Sequence, residues 1–237
     1  MSFLILVRHG ESVWNLQKRF TGWVDVDLTE KGVLEAKKAG NLLKIEGIKI
    51  DFFYTSFQLR ANKTLKIIQE ELDDKKNFTK AWQLNERHYG ALTGLNKIEM
   101  SKKIGDDKIY EFRRSWDLRP DPLKKDSPYH PLNISTYDQI PRELLPNTES
   151  LKDTYKRVIN FFEKHIKVNL KDNNVLISAH GNSIRALCKN LFNLDNIQIS
   201  NLEIPTGNPM MIKFKKNFEI AKCEYLDKER AKDLLVF

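Results

Sequence analysis

The sequence predicts an α/β protein with a mainly parallel central sheet, helices on both faces, and an insertion laid over the carboxyl edge of the sheet. Three observations carry that expectation. Apolar, β-branched and aromatic runs at residues 3–7, 52–54 and 175–179 have the length and composition of buried strands. The first two are each followed by apolar residues at helical spacing, and β-α-β-α order implies parallel pairing with helices on both faces. Two of the runs end in the same dipeptide, His9-Gly10 and His180-Gly181. That puts polar chemistry at the edge where open α/β sheets bind ligands.

Phe3-Leu4-Ile5-Leu6-Val7 is the first strand, and Arg8-His9-Gly10 ends it. Residues 8–28 form a long polar loop anchored by Trp14, Phe20 and Trp23. An ordered loop of that length at the carboxyl end of a strand usually has a job. Within it Asn15 suits a backbone group or a ligand oxygen, and Thr21 and Gly22 suit either turn chemistry or ligand contacts. Thr29 is an N-cap, with Val33, Ala36, Gly40 and Leu43 on one helical face. The second strand ends at Thr55-Ser56, and the next helix has Ala61, Leu65, Ile68 and Leu72 as its apolar face. Arg60 lies near the start of that helix, where free N–H groups and the dipole favour anions; a plain surface arginine is the other reading.

Residues 82–146 break the rhythm. Glu86, His88, Tyr89 and Lys97 precede a polar helix and Arg113-Arg114; Pro120, Pro122, Pro128, Pro131, Pro141 and Pro146 then exclude regular elements. This insertion is expected to act as a lid carrying cations, the alternatives being a dimer contact or a surface excursion. Thr148 or Ser150 caps the next helix, and Ser150-x-x-Asp153 fits a capping box. Its stripe is Leu151, Tyr155, Val158 and Phe162, with a structural His165 near its end, where the dipole favours an imidazolium. After strand 175–179 a helix runs from Ser183 to Leu191, and residues 210–214 form a last strand, with antiparallel pairing one option. The whole chain, 1–237, is expected to form a single domain.

With 237 residues the chain buries about 70–75% of its extended surface, ample for one core. Hydrophobic residues at 41% and charged residues at 30% fit a soluble globular protein, and no apolar run reaches the length of a membrane span. The first strand begins at Phe3, which leaves no room for a signal peptide. Cys188 and Cys223, outside any Cys-x-x-Cys pattern, fit a reducing compartment, and Cys188 reads as core. The net charge of +8 comes from scattered lysines with acids between them, not from a basic stripe interleaved with aromatics, so no nucleic-acid partner is expected. It fits a solvated surface and a field that draws in a polyanionic small molecule. The five histidines form no His-Glu-x-x-His or Cys/His cluster, so no metal site is expected.

If their strands are neighbours, His9 and His180 stand side by side. A neutral imidazole can attack phosphorus, and fixed cations around the three equatorial oxygens supply the catalysis. Arg8, Arg60 and a protonated or donor His180 suit that duty. Glu86 suits a proton donor to the leaving oxygen, with a salt bridge to Arg87 or another basic neighbour as the even alternative.

Leu-Val-Arg-His-Gly-Glu-Ser at 6–12, with Ala-His-Gly-Asn-Ser at 179–183, resembles the histidine phosphatase superfamily. Arg19-Phe20-Thr21-Gly22-Trp23, Asp25-Val26-Asp27-Leu28, Leu84-Asn85-Glu86-Arg87-His88-Tyr89-Gly90, Arg113-Arg114 and Ile204-Pro205-Thr206-Gly207 narrow the resemblance to the 2,3-bisphosphoglycerate-dependent phosphoglycerate mutases. It covers nearly the whole chain. The resemblance implies a cytoplasmic isomerase of glycolysis and gluconeogenesis, a homo-oligomer (dimer or tetramer), primed by 2,3-bisphosphoglycerate and free of metal. It implies His9 as the phosphorylated nucleophile and Glu86 as proton donor and acceptor. Arg8, Asn15, Arg60, His180 and Asn182, with Gly181 beside it, would hold the transferring phosphoryl group. Thr21, Gly22, Tyr89, Lys97, Arg113 and Arg114 would hold the substrate carboxylate and second phosphate. A phosphatase working through the same His9 is the alternative, and Lys97, Arg113, Arg114 and Thr206-Gly207 discriminate. A binding protein on an inactive scaffold would require the loss of His9, His180, Arg8 or Arg60, all of which are present. The family pattern is followed loosely between Arg114 and Leu151, where Arg119 precedes a proline. The sequence ends at Phe237 without the longer basic tail of many relatives, so the expected phosphoenzyme is more open to water.

Overall fold

Alternation along the apolar strands decides which helices cover which face of the sheet. In the computed structural model, which describes residues 1–231, strands β1 (Ser2–Arg8), β2 (Phe52–Thr55), β3 (Phe78–Lys80), β4 (Val175–Ala179), β5 (Met210–Phe214) and β6 (Ile220–Tyr225) form one sheet in the order β3-β2-β4-β1-β5-β6. The first four run parallel, and β5 and β6 are antiparallel. The expectation about the chain end rests on residues 232–237, outside the described residues.

Leu4, Leu6, Ile177, Met210 and Ile212 point to one face, against α6 (Leu151–Phe161) and α8 (Gly181–Leu191). Ile5, Val7, Leu176 and Met211 point to the other, where Ala39 and Leu43 of α2 (Glu30–Glu46) and Leu65 and Ile68 of α3 (Leu59–Glu71) cover them. Side chains alternate faces along a strand, so a strand covered on both sides must be apolar throughout. The two-faced α/β architecture expected from the sequence is the one observed.

Capping follows the sequence signals. Thr29 accepts from Gly32 N, and Ser150 forms the capping box with Asp153. Thr148 instead donates to Pro120 O at 2.7 Å, tying the insertion to the start of α6. In the insertion, α4 (Lys97–Ile104) and α5 (Asp106–Arg114) lead to a stretch from 115 to 148 whose only helical features among the described residues are 3-10 turns, as the prolines require. A short helix α1 (Val13–Leu16) interrupts the long loop after β1.

Several elements differ from the sequence expectation. Strand β3 has three residues, too few to show alternation. Residues 210–214 are not the last strand: β6 follows, and only its inward Cys223 and Tyr225 are buried. Helix α6 does not stop near His165. A π-turn (Phe162–Ile166) carries it into α7 (Lys167–Leu170), so His165 sits mid-helix, stacked on Phe161 at 4.9 Å, without the dipole as its reason. Helix α8 starts at Gly181 rather than Ser183, and α9 (Asn196–Asn201) follows it.

Leu176 is fully buried between β1 and β2. Leu176→Ala should cost about 2–5 kcal/mol of unfolding free energy, because both the transfer term and a cavity are lost. The exposed Val168→Ala should stay within about 0.5 kcal/mol of the parent. Urea midpoints of the two variants check both.

Candidate active site

Parallel pairing of β1 with β4 matches Arg8 to Ala179, and His9 N extends the ladder to Ala179 O at 2.9 Å. The next residues, His9 and His180, leave the sheet together with ring centroids 5.0 Å apart. Gly10 makes this exit possible. A Cβ there would lie 2.1 Å from Gly32 O, so the start of α2 packs directly on the loop backbone.

The tautomer of His9 follows from its partner. The carbonyl of Gly10 can only accept, so Nδ1 carries the proton and donates at 2.7 Å. That leaves the lone pair on Nε2, where Arg60 Nε donates at 3.3 Å. Burial, then the guanidinium groups of Arg60 and Arg8, hold this imidazole well below its ordinary value. It is a neutral base inside a cationic shell. His180, shifted the same way first by burial and then by Arg60, shares a hydrogen bond between Nε2 and Ser56 Oγ at 2.8 Å. Its buried Nδ1 has no protein partner.

The two arginines are held by carbonyls, not by carboxylates. Arg60 donates to Val24 O and Gly22 O, both at 2.9 Å, and to Gln58 Oε1 at 3.2 Å. Arg8 donates to Ile204 O at 2.8 Å, while its buried Nε has no protein partner. Their charges therefore remain available to a ligand. Glu86 faces them from the insertion. Its Oε1 accepts from Arg87 N at 2.8 Å and Asn182 N at 3.2 Å. The salt-bridge alternative is not what forms: the Arg87 guanidinium lies over the Tyr89 ring at 4.6 Å and donates to Phe112 O. A Cβ on Gly181 would stand 3.7 Å from Arg8 Nε and 3.9 Å from Glu86 Oε2, so this glycine sits between the cation and the carboxylate.

All the sequence-predicted site residues except His180, which backs His9, line one cavity of about 100 Å³. Arg8, His9, Arg60, Glu86, Gly181 and Asn182 are gathered with Asn15, Thr21, Gly22, Tyr89, Lys97, Arg113 and Arg114. Asn15 has a local duty too, accepting from Ser12 N at 3.2 Å. Asn182 Nδ2 donates to Tyr89 Oη at 3.1 Å. A wider vestibule of about 730 Å³ adjoins the cavity, sharing Arg8, Asn15, Lys97 and Arg113 and adding Lys18 and Thr206. Among the described residues no group of three or more His, Cys, Asp or Glu side chains is placed to hold a metal ion.

The family model for the histidine phosphatase superfamily (branch 1) matches residues 4–131 and 125–222. A protein from Pelagibacter ubique, described as a 2,3-bisphosphoglycerate-dependent phosphoglycerate mutase, is 66% identical over the full length of both chains. This chain belongs to that mutase family, within the histidine phosphatase superfamily. A relative of the same description from Elusimicrobium minutum is 46% identical, covering 99% of this chain and 96% of its own. Among solved structures, Bacillus stearothermophilus YhfR superposes with a TM-score of 0.69 at 22% identity, covering 93% of this chain and 96% of its own. The α-ribazole phosphatase from Shigella flexneri gives 0.67 at 18%, covering 93% and 95%. At those identities the likeness concerns the fold.

Two further charged residues line the cavity, Arg185 and Glu203. Arg185 could have been found, since it lies three residues after Asn182 on the same helix and therefore shares its face. Behind the wall, Arg157 pairs with Glu149 at 2.7 Å and donates to the carbonyls of Gln83, Asn85 and Glu86, fixing the backbone that carries the carboxylate.

Burial, opposed by Tyr89 and reinforced by Arg113 and Arg8, brings Lys97 down to about 8. A lysine that binds an anion must be charged, so affinity for inorganic phosphate should begin to fall as pH rises through about 8 at fixed ionic strength. Lys97→Arg should move the fall to higher pH, because guanidinium stays charged. Calorimetric titrations between pH 6.5 and 9.5 check this.

Proposed function

We infer that this enzyme interconverts 3-phosphoglycerate and 2-phosphoglycerate through phosphorylated His9 and a 2,3-bisphosphoglycerate intermediate. One observation carries the reading. The unprotonated Nε2 of a neutral His9 accepts from Arg60 Nε and lies in one cavity with Arg8, which Lys97, Arg113 and Arg114 also line. Hydrolysis of one phosphomonoester needs the first cation set alone. A substrate that turns over between two transfers needs both.

In the proposed chemistry 2,3-bisphosphoglycerate supplies the priming phosphoryl group. His9 Nε2 attacks phosphorus as the bond to the leaving oxygen breaks, and Glu86 gives that oxygen its proton. Arg8, Arg60 and Asn182 hold the equatorial oxygens, where charge grows in the transition state, while His180 backs His9. In the return transfer Glu86 takes the proton of the attacking substrate hydroxyl as the His9 N–P bond breaks. Thr21, Gly22, Tyr89, Lys97, Arg113 and Arg114 hold the carboxylate and the other phosphate. Gly181 leaves room between Arg8 and Glu86 for the transferring group. Since guanidinium groups carry the charge-stabilising duty, the proposal uses no metal. Residues 1–237 act as one catalytic unit, in a cytoplasmic homo-oligomer whose dimeric or tetrameric state light scattering would measure. Free Cys188 and Cys223 are consistent with a reducing compartment.

Conversion of 3- to 2-phosphoglycerate should depend on added 2,3-bisphosphoglycerate and survive EDTA. His9→Ala should abolish it, together with the acid-labile phosphopeptide seen by mass spectrometry. Glu86→Gln should lower kcat by about 10²–10⁴-fold. Turnover that persists in His9→Ala, or that EDTA stops, overturns the mechanism.

A further inference from the structure

Three arginines of the cavity hang from one short stretch of backbone. Leu202 O accepts from Arg114 Nη1 at 3.3 Å and from Arg185 Nε at 2.7 Å. Two residues on, Ile204 O accepts from Arg8 Nη1 at 2.8 Å. Between these carbonyls sits Glu203. One of its carboxylate oxygens accepts from Arg114 Nη2, and the other lies 3.8 Å from Arg185 Nη2. Glu203 lines the cavity, and its charge reaches Arg8 as well.

The members of this cluster differ in freedom. The Arg114 and Arg185 side chains are 9% exposed, whereas that of Glu203 is 54% exposed. Both arginines keep a backbone carbonyl as an independent anchor, and Arg185 also donates to Asn182 Oδ1 at 3.3 Å. Their positions therefore do not depend on Glu203. The carboxylate is the member with a path to water.

We propose that Glu203 is a specificity-determining residue, an internal anion that competes with the second anionic group of the substrate for Arg114 and Arg185. This rests on the reading that Arg114 belongs to the cation set holding that group. A ligand phosphate or carboxylate arriving there must move a carboxylate that already takes a hydrogen bond from Arg114 and lies beside Arg185. Glu203 thereby weakens the hold on every ligand with charge at this end of the cavity. In a reaction that must let its intermediate turn and its product leave, such weakening limits over-tight binding.

The test is Glu203→Gln, which keeps size and hydrogen bonding but removes the charge. Dissociation constants for 3-phosphoglycerate and for inorganic pyrophosphate are measured by calorimetry, and KM and kcat by conversion to 2-phosphoglycerate. Both dissociation constants and KM should fall about three- to tenfold, the scale of a partly exposed ion pair, while kcat does not rise. Unchanged or weaker binding overturns the proposal and makes Glu203 a positioning residue for the arginines. Should this variant not fold, Glu203→Asp, with the charge one methylene farther away, is judged by the same outcomes. The pyrophosphate titration needs no turnover, so a wild-type protein that fails to convert 3-phosphoglycerate sinks the mutase reading without deciding this one.

Discussion

Parallel pairing of β1, β4 and β2 is the constraint on which the site depends. Arg8 pairs with Ala179 and Thr55 with Ser178, so three strands reach the same sheet edge within one residue of each other. The residues that follow are His9 on one strand, His180 on the next and Ser56 on the third, with Arg60 in the first turn of the helix after it. A register slip of one residue would reverse every side chain on a strand and break both apolar faces. The two cores thus hold the imidazoles in place as firmly as they hold the fold.

Electrostatics at that edge depart from ordinary pairing. Buried charges are usually matched by opposite charges, because desolvation costs several kcal/mol per ion. Here Arg8 and Arg60 rest on the carbonyls of Ile204, Val24 and Gly22 instead. Carbonyl dipoles offset part of the cost without cancelling the charge. The same two cations also disfavour a proton on His9, so one arrangement keeps that imidazole neutral and leaves charge available to an anionic ligand. Burial lowers the guanidinium groups as well, and Glu86 partly restores them. A carboxylate facing the cations is thus electrostatically useful in itself.

What could be read from the sequence was local. Buried strands declare themselves through runs of apolar residues, and Thr29 and Ser150 declare helix starts, because these signals act within a few residues of one another. The two His-Gly dipeptides marked the edge, and their adjacency followed once the strands were neighbours. Strands β3 and β6 did not show. The first is too short for a pattern, and the second mixes Ala221 and Lys222 with inward Cys223 and Tyr225. Glu203 carried no signal at all, being one acid beside a recognisable Ile-Pro-Thr-Gly. Its position depends on Arg114 and Arg185, which come from helices distant in sequence. The need for glycine at position 10 was visible, but its reason was not: the crowding atom belongs to Gly32.

The proline-rich part of the insertion shows how an irregular segment can be closely packed. Tyr137, Ile140 and Trp23 form a buried cluster backed by Phe57, Trp82 and Leu145. The hydroxyl of Tyr137 donates to Trp23 O and accepts from Gln58 Nε2. Fully buried Gln58 spends the rest of its amide on the site: Nε2 donates to Gly22 O, and Oε1 accepts from Glu86 N at 2.9 Å and from Arg60 Nη2. One side-chain amide therefore joins Arg60, the backbone of Glu86 and the far end of the insertion. A buried network of this kind is costly to break at any point, because each lost partner leaves another group unsatisfied in a low-dielectric interior. Residues 115–148 thus pack as a buttress, and the stretch that supplies Glu86, Tyr89, Lys97, Arg113 and Arg114 is positioned against it.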